Sequence, residues 1–181
     1  MRHSLSPHQD FPSSAVSGIS VEIVRGHDDV LRLSYAGSGD PRRLLPSFLQ
    51  PQERRADELW LATCCEAFVR PAGGQAYWEF NIAPDGGWQV YALDGYRSGR
   101  RPELRLPAPR WQSHTTPDHW TLRADWLVGG IIPDDVPWQV GLSAVTKDTD
   151  GAIGYWALRH APDRPDFHHD EAFALELQGT P

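Results

Sequence analysis

At 181 residues the chain is long for one small domain and short for two, and its 40% hydrophobic content is ordinary for a globular protein. A net charge of −7 argues against nucleic acid, which calls for a basic patch, and against an anionic membrane surface. No stretch reaches the ~20 apolar residues of a membrane span. The opening Met-Arg-His-Ser-Leu-Ser-Pro lacks the apolar run of a secretory signal, so a cytoplasmic domain is expected.

Residues 1–17, rich in Ser, Pro and His, read as a flexible tail before a single domain over 18–181. Residues 20–25 and 30–35 alternate apolar and polar side chains around a Gly-His-Asp-Asp turn, the pattern of a hairpin. Residues 37–57 hold Pro41, Pro46 and Pro51 and read as a long connection between sheets. Residues 59–69, 76–82 and 87–93 form a meander with turns at Gly73-Gly74 and Pro84-Asp-Gly-Gly87. Residues 95–117 are rich in Arg and Pro and read as irregular. Alternation resumes at 119–127, with Trp120, Leu122, Ala124 and Trp126 on one face. Residues 140–146 and 152–158 make a hairpin, and 172–177 a last strand. The best helical window, 42–49, contains Pro46. The sum is an all-β fold of nine to ten strands with little or no helix. An antiparallel β-sandwich, jelly-roll-like, is the architecture this predicts.

The most informative text lies at 60–82. Read at period two, Trp78, Phe80 and Ile82 face a core, while Tyr77, Glu79 and Asn81 share the other parity. With Trp60…Cys65-Glu66-Ala-Phe-Val69 and Tyr77-Trp-Glu-Phe-Asn-Ile-Ala-Pro84 go Trp88-Gln-Val-Tyr91, Tyr96-Arg97, Gly141-Leu-Ser-Ala-Val145, Tyr155-Trp-Ala-Leu158 and Pro165-Asp-Phe-His168. Over residues 20 to 177 this text resembles the DOMON-like ligand-binding domains, a β-sandwich group that includes family 9 carbohydrate-binding modules. The haem domains of some extracellular dehydrogenases also belong to that group. Within it the chain is similar to a small stand-alone bacterial subgroup. The resemblance implies a non-catalytic module that binds sugar or haem.

Sugars are held by aromatic faces and by carboxylates, amides and Arg. Those residue types collect at Glu66, Glu79, Asn81 and Tyr91, with Tyr96 and Arg97 in the following turn. Trp156 and His160 share a parity on a late strand, and His168 closes the last motif. These nine residues are the expected ligand-binding set, for a small polar ligand and most readily a sugar. Polar side chains on a half-buried strand can equally well just meet water.

The alternatives are a haem or redox module and a protein–protein interaction domain. The only Met is Met1, so a Met/His axial pair is missing, and haem would need two of His114, His119, His160, His168 and His169. An interaction domain would use the apolar segment 127–132, in a monomer or weak homodimer. No cofactor is expected. Asp148-Thr-Asp150-Gly151 resembles the start of a calcium loop but has Arg159 at its twelfth position, although the resemblance admits a structural Ca²⁺. The adjacent Cys64 and Cys65 read as free buried thiols. No Gly-x-Ser-x-Gly elbow or phosphate loop is present, so an enzyme is not expected. Glu66 and Glu79 would suit a glycosidase only at the right separation and with one raised pKa. Asp166 and His168 could be a base and its orienter, or the anchor of a loop.

Overall fold

The computed structural model describes residues 2–49 and 51–179. Its regular structure is almost all strand, joined among the described residues by short 3-10 turns at Pro41–Arg43, Leu59–Leu61 and Asp170–Ala172. In chain order the strands are β1 (Arg2–Pro7), β2 (Val16–Arg25), β3 (Val30–Gly39), β4 (Arg54–Arg55), β5 (Cys64–Pro71), β6 (Tyr77–Ile82) and β7 (Gly87–Leu93). Then follow β8 (Arg101–Pro102), β9 (Arg110–Thr115), β10 (His119–Leu127), β11 (Trp138–Lys147), β12 (Ile153–Ala157) and β13 (Leu175–Leu177). Hydrogen bonding runs β4-β7-β6-β5-β11-β12-β1-β2-β3-β10-β9, with β8 beside β7 and β13 beside β11.

The path has two halves joined by β1. Arg2 to Leu5 pair with β2, while Ser6 and Pro7 pair with β12. Apolar side chains from both halves meet in one core. From β10 come Trp120, Leu122, Ala124 and Trp126; from β5, β6 and β7 come Cys65, Ala67, Phe80, Ile82, Trp88 and Val90. Trp126 sits edge-on to Phe80 and Trp88, with ring centroids 5.3 and 5.8 Å away. Trp120 fills the space left by Gly37, where an added Cβ would lie 2.1 Å from the indole. At the β6–β7 turn Gly86 has φ +86°, and a Cβ there would come within 2.7 Å of the Gln52 carbonyl and the Trp111 ring.

Several sequence expectations are corrected. Residues 2–7 are a strand, not a flexible tail, because two strands offer them partners. The rest of that segment is pinned by Asp148, which is fully buried and accepts bonds from the Ser13 and Ser14 hydroxyls and from the Ser14 and Ala15 amides. That carboxylate, read as the start of a calcium loop, is thus committed to the chain itself. Among the described residues the strands number thirteen rather than nine or ten, and β4 runs parallel to β7, so the sheet is mixed. The additions are short or exposed: β4 and β8 have two residues each, and β9 alternates exposed with half-buried side chains, giving little apolar signal. The segment 127–132, considered for self-association, turns Val128 and Ile132 into the core. Cys64 and Cys65 are free and buried, as expected.

Candidate functional site

The outer face of β5, β6 and β7 is covered. These strands are buried on both sides, and a second apolar cluster of Phe68, Tyr77, Tyr91, Leu93 and Phe173, with Trp60 and Phe167 against it, lies outside them. The cover consists of the 57–61 turn, the 95–100 loop, and the 164–173 loop with its 3-10 turn. Where it is incomplete, a cleft of about 610 Å³ opens, within the usual range for small-ligand sites.

Antiparallel register builds the cleft floor. Glu66 pairs with Asn81 and Ser143, and Phe68 pairs with Glu79, so Glu66 and Glu79 are diagonal neighbours on the outer face. Both line the cleft, with Trp60, Tyr155 and Phe167 as aromatic walls and Arg97, Arg100, Arg164 and Lys147 as its cations.

Burial, reinforced by the nearby Glu79 charge, pushes the Glu66 carboxyl well above the carboxylate range, against a bond from Ser143 at 3.2 Å. Burial also raises Glu79, against an Asn81 amide bond of 2.8 Å and the charges of Arg100 and Arg97. Oε2 of Glu79 is buried and has no hydrogen-bond partner among the described residues. Such an orphan costs stability unless something arrives to meet it.

His168 lies above Glu79. The Arg97 amide donates to the Tyr77 oxygen at 3.3 Å, and that oxygen lies 2.8 Å from His168 Nδ1. Nε2 of the same ring lies 3.9 Å from Glu79 Oε2. Burial first, then the Arg97 charge, lowers the ring pKa to about 4, so it is neutral near pH 7. Asp166 anchors the loop by accepting from the Tyr96 hydroxyl (2.6 Å), Arg97 (2.8 Å) and the His168 amide (3.1 Å). The loop-anchor reading of Asp166 and His168 therefore matches the geometry.

Of the nine expected ligand residues, Glu66, Glu79, Arg97 and His168 line the cleft. Asn81 is fully buried behind it, bonded to Glu79 and accepting from the Cys64 thiol. Tyr91 is buried under Trp60 and donates to Asp57 at 2.8 Å. Tyr96 stands beside the cleft as a partner of Asp166. Trp156 belongs to the main core, because its register partner is Ala144 on the inward face of β11. His160 is held away by Ser6, whose carbonyl lies 2.8 Å from Nε2. The parity assigned to the late strand was thus inverted: Tyr155, not Trp156, faces the ligand side. Among the histidines considered for haem, only His168 lines the cleft, while His114 and His119 are on the far half.

Sequence reasoning also missed Trp60, Phe167 and Phe11, the last from the supposed tail. Sequence text could have found Tyr155, since its register opposite Val145 follows from the hairpin. Trp60 sits in a 3-10 turn where strand parity does not apply.

A second hollow of about 560 Å³ lies over β3, β9 and β10, lined by Ser34, Gln112, His114, Thr121 and Arg123 among others. None of these polar side chains is buried, so the hollow holds no preformed polar group of the Glu79 kind.

The sequence matches no protein-family model and no curated protein. Among solved structures it is similar to a provisionally assigned carbohydrate-binding protein from Bacteroides uniformis ATCC 8492. The TM-score is 0.64 at 15% identity, over 95% of this chain and 83% of that one. A family 9 carbohydrate-binding module from Caldicellulosiruptor kristjanssonii in complex with cellotriose gives 0.47 at 8% identity, over 87% and 73%. A family 9 module from the same organism in complex with glucose gives 0.48 at 11%, over 96% and 83%. Nearly the whole chain therefore shares its fold with the Bacteroides uniformis protein.

Proposed function

We propose that the chain is a non-catalytic saccharide-binding β-sandwich module of the DOMON-like kind. One observation carries the reading: the cleft joins aromatic walls to a buried carboxyl, Glu79, whose Oε2 has no partner among the described residues. A sugar supplies what that combination needs, a C–H face for the rings of Trp60, Tyr155 and Phe167 and hydroxyls for the carboxyls. The assignment of the Bacteroides uniformis protein to carbohydrate binding supports the same reading.

The test is calorimetric titration with a panel of neutral and acidic mono- and oligosaccharides. Binding by at least one is expected, and Trp60→Ala should weaken it by about 2 kcal/mol, roughly thirtyfold, as for a central aromatic contact. Silence across the whole panel would overturn the proposal.

A further inference from the structure

We infer that the saccharide fitted to this cleft is negatively charged, bearing a carboxylate or a phosphate group. The inference rests on the saccharide reading above and names its ligand class. Its basis is where unpaired cations lie.

Among the described residues nine of the 16 arginines are tied to a carboxylate, as in Arg54–Asp85, Arg70–Asp170 and Arg101–Asp94. Arg97, on the cleft, is bound to Asp166. Arg100 and Arg164 also line the cleft, yet among the described residues neither has a carboxylate within ion-pair distance. The chain's single lysine, Lys147, lines the same cleft, and among the described residues its ammonium meets only the Leu61 carbonyl, at 3.4 Å. Three cations without a direct ion pair among the described residues thus line one cleft of a protein whose net charge is −7, with the Arg100 charge also felt by Asp57 and Glu79.

Arg100 also lies against two rings: its guanidinium carbon is 4.9 Å from the centre of Trp60 and 5.1 Å from that of Tyr91, within cation–π range. A planar fork matches two oxygens of a carboxylate or phosphate. The acidic side chains of the lining are Glu66 and Glu79, both buried on the floor, so the lining carries four cations, Arg97 included, against two carboxyls. The cleft therefore offers two kinds of contact: Arg100, Arg164 and Lys147 for an anionic group, and the unpartnered Glu79 Oε2 for a hydroxyl.

Titration with glucuronate, glucose 6-phosphate, glucose and inorganic phosphate at low ionic strength tests this. At least one charged sugar should bind about tenfold or more tightly than glucose, and the better of the two identifies the anion. That preference should shrink in high salt in the unaltered protein, and vanish in Arg100→Gln/Arg164→Gln. Glucose equalling both charged sugars would overturn the inference and leave the saccharide reading standing. Inorganic phosphate matching glucose 6-phosphate would mark a bare anion site and overturn it, as would a preference that survives either salt or the double substitution. Binding of none of the sugars, neutral ones included, would remove both readings.

Discussion

Strands β10 and β7 face the same core from opposite sides, yet their outer faces differ. β10 alternates strictly, with Trp120, Leu122, Ala124 and Trp126 inward and Thr121 and Arg123 exposed to water. β7 is buried at every position from Gly87 to Leu93. Its outward side chains, Gln89, Tyr91 and Leu93, lie beneath the covering segments, where Gln89 and Tyr91 share the Asp57 carboxylate. Polar parity therefore has two meanings in this molecule. On the far half it marks solvent. On the covered half it marks polar groups that must find partners inside protein, and the cleft lies where that cover is unfinished.

Protonation is the strongest way to probe the covered face. The folded His168 ring titrates near 4, against about 6.5 for an unperturbed histidine. Between those values the unfolded chain binds the extra proton. This contribution to stability is therefore complete above about pH 6.5 and is lost as pH falls toward 4, by up to about 3 kcal/mol. Urea unfolding of the native protein and His168→Gln at pH 7 and pH 4.5 should show that loss only in the native chain. Equal losses in both would mean the ring is not buried as described.

A matched pair of truncations compares the two faces directly. Asn81→Ala removes the amide that meets Glu79 inside the covered half and should cost about 2–3 kcal/mol. Thr121→Ala on the open half should stay within about 0.5 kcal/mol. Similar costs from denaturant melts would erase the distinction.

Glu66→Gln probes the same burial through a carboxyl. A carboxyl whose folded pKa is raised costs stability as pH climbs through and beyond its unfolded value near 4.3. The glutamine variant should therefore gain melting temperature relative to the native protein at pH 8 and not at pH 4. A gain independent of pH would show that shape, not charge, is responsible.

The same comparison explains how much was legible. Alternation gave β10 its bounds and inward residues because one side of it is wet. It also paired Glu66 with Glu79, since β5 and β6 obey a simple register. It failed for β9, whose exposed edge needs no apolar partner beyond Trp111, and for β4, held by only two residues. In the cleft, four of the nine expected residues are present. Asn81 and Tyr91 share the right face but are consumed by neighbours, and whether a covering loop leaves a gap is a tertiary matter that strand period does not encode. The Trp156 and His160 assignments failed because two adjacent aromatics, Tyr155 and Trp156, fit either parity equally well until β12 is set against β11.

The seam made by β1 bears on how the chain is synthesised. Leu5 finds Ile19 within moments of emerging, but Ser6 is matched to Ala157, near the other end of the chain. One edge of β1 must therefore remain open while nearly all the rest is made. Closing it is a contact of long sequence separation, the kind that slows folding. Chains ending before β12 would expose that edge to passing strands.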